Sequence, residues 1–288
     1  MPLTATRPLL VDATAGGTAV AAFNVITLEY AEGIVAGAER AGRPVILQLS
    51  ENASTFHGGD PRPITAAMRA LAERSAVPVA LHLDHVEDVE LLHTAADAGF
   101  GSVMFDAGRL PYEDNVAATR AAAQWAHDQG LSIEAELGYV GGKATQVQSA
   151  HAAGVRTDPA QAAEFVAATG VDALAVAVGS SHAMTSRTAA LDHDLIARIA
   201  AATDLPLVLH GSSGVPDDDL AAAVVAGMRK INIGTMLSVA YTSAIRTALA
   251  ADPAATDPRR YLAQARAAIA DRAAAMFHVI GRPTPTSS

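Results

Sequence analysis

The chain has 288 residues, of which 50% are hydrophobic and 17% charged, with a formal net charge of −10 and no cysteine. This supports a sizeable core and argues against disorder, while the negative balance gives no electrostatic support to a nucleic-acid or anionic-membrane surface. The lack of cysteine excludes disulfides and thiolate metal sites; with a start, MPLTATRPLLVDAT, that lacks a secretory pattern and no apolar run near the roughly 20 residues of a membrane span, it fits a cytoplasmic protein.

Short β-rich runs recur along the chain, each followed by an alanine-rich amphipathic segment. The predicted strands are Ala19–Asn24, Pro44–Ser50, Pro78–Asp84, Ser102–Ala107, Ser132–Gly138, Ala173–Gly179, Leu205–Gly211 and Lys230–Gly234. Runs such as VILQL and LAVAV are apolar at nearly every position, as suits parallel strands buried on both faces. Helices are predicted over Leu28–Ala41, Pro63–Ser75, Asp88–Ala98 and Glu113–Gln129, from helix formers with apolar residues three and four apart. Glycines in AGR, AGF, DQG, ATG and AGM stand where helix stops need a left-handed residue. Pro258–Gly281 reads as an extra C-terminal helix that could pack on a neighbour.

Eight such units predict an α/β fold, a (β/α)8 TIM barrel, as one domain over residues 1–288. In that fold the active site lies at the C-terminal ends of the strands. No G-x-G-x-x-G turn follows the first strand, which weakens the rival dinucleotide-binding open sheet.

One face of the predicted barrel gathers Asn24, Gln48, Ser50, Asp84, His85, Asp106, Glu134, Glu136, His182, His210 and Asn232 to Thr235. Polar groups at nearly every strand end are hard to explain by packing, because burying them costs free energy unless they are partnered. Any single histidine there is more simply a core or surface residue. Three on separate strands, with carboxylates nearby, match an open catalytic zinc site: His85, His182 and His210, with Asp84 beside the first. His82 shares Asp84's face and is a candidate supporting partner; the other six histidines read as structural or solvated. Asp106 and Glu136 are either cap and salt-bridge residues, or an alternate metal position or partners of the histidines. HGSSG (His210–Gly214) and NIGT (Asn232–Thr235) follow the last two strands, where barrels often hold phosphate on backbone N–H groups and hydroxyls.

The motifs LHLDH, EAELGYVGG, AVAVGSSH, VLHGSSG and KINIGT, with AAFNV early and DPRRYL late, resemble the class II, zinc-dependent ketose-bisphosphate aldolases, which include the fructose and tagatose enzymes. The resemblance runs from about residue 8 to about residue 280. It implies Zn2+ on His85, His182 and His210, with a monovalent cation, Na+ or K+, as a second candidate cofactor. Asp84 would exchange a proton with the oxygen on C4 of the ketose, and Asp106 and Glu136 would serve an alternate metal position. Asn24, Ser50, Ala183, Gly211, Ser212, Ser213, Asn232, Ile233, Gly234 and Thr235 would contact substrate or phosphate. The implied reaction is reversible cleavage of a ketose 1,6-bisphosphate to dihydroxyacetone phosphate and an aldehyde. The implied partners are a small phosphorylated sugar and, in a homodimer or homotetramer, a second copy reached by Arg259 or Arg260.

Three positions depart from the family pattern. The loop after the fifth strand reads GGKATQVQSAHAAG, with Lys143 where an acid is usual and no carboxylate before Asp158. Ala183 stands where glycine is usual, and Gly234 where the fructose enzymes carry aspartate. The alternative function is therefore a divergent metal-dependent barrel of the same family, acting on a different sugar or serving a binding or regulatory role. A Schiff-base aldolase needs a lysine at the active face; the chain has only Lys143 in a loop and Lys230, expected to begin strand eight at the end opposite the site.

Overall fold

The computed structural model describes residues 2–138 and 156–281. In chain order the elements are α1 (Thr6–Ala15), β1 (Val20–Asn24), α2 (Leu28–Ala41), β2 (Val45–Ser50), α3 (Glu51–Phe56), α4 (Arg62–Arg74), β3 (Val79–Val86), α5 (Val89–Ala98), β4 (Ser102–Phe105) and α6 (Tyr112–Asp128). There follow β5 (Ser132–Leu137), α7 (Pro159–Thr169), β6 (Ala173–Val176), α8 (His193–Thr203), β7 (Leu207–Leu209), α9 (Asp217–Ala226), β8 (Met228–Ile233), α10 (Thr235–Ala251) and α11 (Pro258–Ile280). The eight strands are parallel and pair in sequence order, and β8 closes on β1 through Val20↔Lys230 and Ala22↔Asn232. This is the (β/α)8 barrel with a C-terminal helix that the sequence predicts. Among the described residues no helix is long and apolar enough to cross a membrane.

The five helices predicted with stated bounds reappear within one residue of their expected ends. Side chains of Asp88, Asp158, Asp192 and Asp257 accept first-turn N–H groups and start α5, α7, α8 and α11. Of the strands that are shorter than expected, β6 and β7 lose the most. β6 stops at Val176 and β7 at Leu209, so the segments carrying His182 and His210 leave the sheet as loops. Two helices, α1 and α3, had no prediction. α1 is short and carries Pro8 in its first turn, where proline is tolerated.

Alternation along the strands divides the core in two. Ala21, Phe23, Leu47, Leu49, Leu81, Leu83 and their counterparts face the helix layer. Val20, Ala22, Ile46, Ala80, Ala173, Ala175 and Val208 face inward at the N-terminal end, where Leu9, Leu10 and Ala13 of α1 plug the barrel. Above that apolar floor the interior turns polar.

The C-terminal segment packs on its own barrel. α11 lies against α2 and α10, with Phe277 edge-on to Phe23 at 5.6 Å and Arg40 bonded to Asp271 at 2.8 Å. Close approach depends on missing side chains: a Cβ on Gly33 would stand 2.7 Å from the Arg266 carbonyl oxygen and 2.8 Å from Ile269 Cβ. In an open helix Gly→Ala stabilises by roughly 0.5–1 kcal/mol. Here we expect the opposite sign for Gly33→Ala, a loss of roughly 1–3 kcal/mol from overpacking. Urea unfolding checks this, and a variant as stable as the parent would refute the close-packing account.

Candidate active site

Regular alternation would send the neighbours Asp84 and His85 to opposite faces of β3. The β3–β4 register is broken between Leu83 and Val86, and His85 adopts a positive φ of 51°. Both side chains consequently line one cavity of about 290 Å3 at the C-terminal mouth. A non-glycine residue in this region is strained by about 1–3 kcal/mol, and such strain tends to collect at functional sites.

His182 lines the same cavity, and the fully buried His210 meets both rings beneath it. One ligand atom from each of the three lies within 4.8 Å of the others, and the ring centroids are 4.6 to 5.7 Å apart. Carboxylates stand behind two of the rings. Asp106 Oδ2 is 3.2 Å from His85 Nδ1, and its other oxygen accepts the Gly108 N–H at 3.2 Å. Glu134 Oε1 is 2.9 Å from His210 Nε2, and Glu136 Oε2 is 3.1 Å from His210 Nδ1. Asp106 and Glu136 are buried beside the histidines rather than lining the cavity. Burial opposes charge on His210, but hydrogen bonds to Glu134 and Glu136 overcome it and raise its pKa to about 9. The donor set suits a divalent metal: three imidazoles from separate strand ends, oriented by carboxylates, with room for a further ligand. Binding would displace the extra proton on His210.

Asp84 is buried within a fan of amide donors. Gln48 Nε2 donates to its Oδ2 at 3.2 Å, and Asn24 and Asn232 approach its two oxygens at 3.5 Å. Burial would raise the Asp84 carboxyl, but the charges of His85, Lys230 and His210 outweigh that and hold it below its ordinary value. It is therefore an ionised carboxylate at neutral pH, beside the histidines and able to accept a proton.

The opposite wall is made of turns. Gly211, at φ 67°, begins the Ser212–Gly214 turn; a Cβ there would meet the Ser181 backbone at 2.6 Å. Ser212 donates to the Asn232 carbonyl at 2.5 Å, and Ser213 Oγ accepts the Met236 N–H at 3.1 Å. These bonds tie the turn to β8 and to the first turn of α10. Gly234 and Thr235 begin α10, whose N-cap, Gly234, offers no side chain and whose first turn holds no acid. Ser50 lines the same cavity while capping α3 through the Ala53 N–H at 3.2 Å. Ala183 also lines it, at φ 59°, a conformation that explains why glycine would be the easier residue there. Ile233 does not line it, since its side chain is packed in the barrel–helix layer. Lys143 and its loop lie outside the described residues.

Lys230 differs from its expected place. It is the third residue of β8, not the first, and it points inward, fully buried, with Nζ 2.7 Å from Glu134 Oε2. Its inward parity with Asn232 was readable, but its depth depends on where β8 starts. Gln48, Glu134 and His82 also proved to be parts of the site's support. Among the other histidines, His57 bonds the carbonyl of Ile26, a residue at the cavity rim, while His127 pairs with Asp172 and His193 with Asp219; none of the three lines the cavity.

His82 is buried, with Nδ1 2.8 Å from Ser102 Oγ. Burial, and secondarily the charge of Lys230, push its pKa down to about 3. The unfolded chain takes up this proton near pH ~6.5, whereas the folded one resists it. Its contribution is thus complete above pH ~6.5 and falls away as pH drops toward 3. We expect metal-free protein to lose up to ~1.4 kcal/mol per pH unit over that range, and His82→Asn to have a flatter slope despite lower absolute stability. Urea unfolding at pH 6.5, 5.5 and 4.5 reads this; equal slopes for both proteins would refute the assignment.

Residues 4–283 match the family model described as fructose-bisphosphate aldolase class-II. A fructose-bisphosphate aldolase of Staphylococcus aureus is 39% identical over 270 residues, covering 93% of this chain and 94% of that protein. A probable fructose-bisphosphate aldolase of Bacillus subtilis is 41% identical over 271 residues, with 93% and 94% covered. The solved structure of the YdjI aldolase from Escherichia coli K12 superposes with a TM-score of 0.84 at 34% identity, covering 99% of this chain and all of that one. The chain therefore belongs to the class II fructose-bisphosphate aldolase family, and is an aldolase, a carbon–carbon lyase.

Proposed function

We propose that the protein is a zinc-dependent aldolase that reversibly cleaves a ketose 1,6-bisphosphate, of fructose or tagatose type, to dihydroxyacetone phosphate and an aldehyde. The observation that carries this reading is the meeting of an ionised Asp84 with His85 and His182 in one cavity, with the buried His210 within ligand distance of both rings, facing the turns at Gly211–Ser213 and Gly234–Thr235. His85, His182 and His210 would hold the ion. When bound, it supplies Lewis-acid stabilisation, of several kcal/mol, for the negative charge that collects on the substrate's carbonyl oxygen.

The remaining steps belong to the chain. The C1 phosphate sits against the N-terminus of α10 and the Ser212–Gly214 turn, where the helix dipole and the local backbone N–H groups favour an anion. Asp84 accepts the proton of the C4 hydroxyl as the C3–C4 bond breaks, and the bonding pair moves toward the C2 carbonyl. Gln48, Asn24 and Asn232 fix the carboxylate in place through this transfer. Protonation at C3 then completes dihydroxyacetone phosphate. Where the acid is usual for that step the sequence has Lys143, outside the described residues.

Ketose 1,6-bisphosphate cleavage, followed by a coupled triose-phosphate assay, should fall to background after chelation and return with zinc. Asp84→Asn should retain zinc but lose roughly 10²–10⁴-fold in kcat, the usual yield of a general base. Cleavage that survives chelation, or a near-normal kcat for Asp84→Asn, would overturn the proposal.

A further inference from the structure

Lys230 is a fully buried ammonium in the middle of a closed barrel, and among the described residues its only hydrogen-bond partner is Glu134. An apolar residue would fill the same space without the desolvation cost of a charge, so its presence calls for an explanation. Glu134 is also buried, and its two oxygens are divided: Oε2 takes Lys230 Nζ at 2.7 Å and Oε1 takes His210 Nε2 at 2.9 Å. The three groups come from β8, β5 and the end of β7, so one ion pair fixes the ring of a histidine on a third segment.

His210 touches two carboxylates, and to ligate a metal it must release one of its nitrogens. Glu134 is anchored from behind by Lys230 and cannot follow a rotating ring; Nε2 therefore stays committed as a donor, and Nδ1, on the Glu136 side, is the nitrogen released. We infer that Lys230 is a positioning residue of the metal centre: acting through Glu134, it holds His210 in the orientation and tautomer in which Nδ1 is the ligand. This rests on the zinc reading above and deepens it. Carboxylates behind metal-bound histidines commonly contribute 10–100-fold in metal affinity; here the carboxylate is itself oriented by a second buried charge.

Zinc affinity by chelator competition on the full chain tests the relay, using Lys230→Met, Glu134→Gln and the double variant. The double variant removes both charges, so it folds without an unpaired buried ion even if a single variant does not. The expected result is zinc binding weakened about 10–100-fold in the double variant, with about the same loss in any single variant that folds. Nitrogen NMR of labelled histidine in the zinc-loaded parent should show His210 protonated at Nε2 and slow to exchange, and the double variant should lose that protection. A double variant with parental zinc affinity would show that the pair only satisfies its own charges and would overturn the inference, as would a parent whose His210 proton sits on Nδ1. If His210→Ala also abolishes zinc binding in that case, the aldolase reading stands and the relay alone fails; a parent with no zinc affinity overturns both.

Discussion

Burying charge inside a closed barrel is the constraint on which the rest of this structure turns. Each ion removed from water costs several kcal/mol unless it is paired, yet the interior above the apolar floor holds Lys230, Glu134, Glu136, His210 and Asp84. They are tolerated because each meets an opposite charge or a donor: Lys230 on Glu134, both glutamates on His210, the amides of Gln48, Asn24 and Asn232 on Asp84. The same pairings aim the rings and the carboxylate at one mouth, so the groups that keep the barrel stable also preorganise its chemistry.

Two backbone devices complete the arrangement. The irregularity of β3 at Asp84 and His85 brings two adjacent residues to one cavity, which no regular strand does. The close approach of Gly211 to the Ser181 backbone packs the His182 and His210 loops together. Ala183, held at φ 59°, is a point of strain in that same loop, where the family's usual glycine would be relaxed.

Much of this was legible in the sequence. Eight apolar runs separated by amphipathic segments specify the barrel, because parallel strands buried on both faces need that pattern. The strand-end histidines and the serine–glycine turns stood out because polar residues there have no packing reason to exist. What remained hidden was set by tertiary geometry. The lengths of β6 and β7 follow from where their loops turn away, not from local propensity. The depth of Lys230 depends on β8 beginning at Met228, two residues earlier than its composition suggests. Likewise α1 becomes a helix because Leu9, Leu10 and Ala13 close the barrel floor, a contact invisible to local pattern.

The central claim is that His85, His182 and His210 jointly hold one zinc ion at the mouth beside Asp84. Anomalous diffraction at the zinc edge, from crystals loaded with stoichiometric zinc, tests it most directly. The account predicts one dominant peak about 2.0–2.1 Å from a nitrogen of each of the three rings, Nδ1 in the case of His210. No peak among these rings, or a dominant peak elsewhere on the molecule, would contradict it.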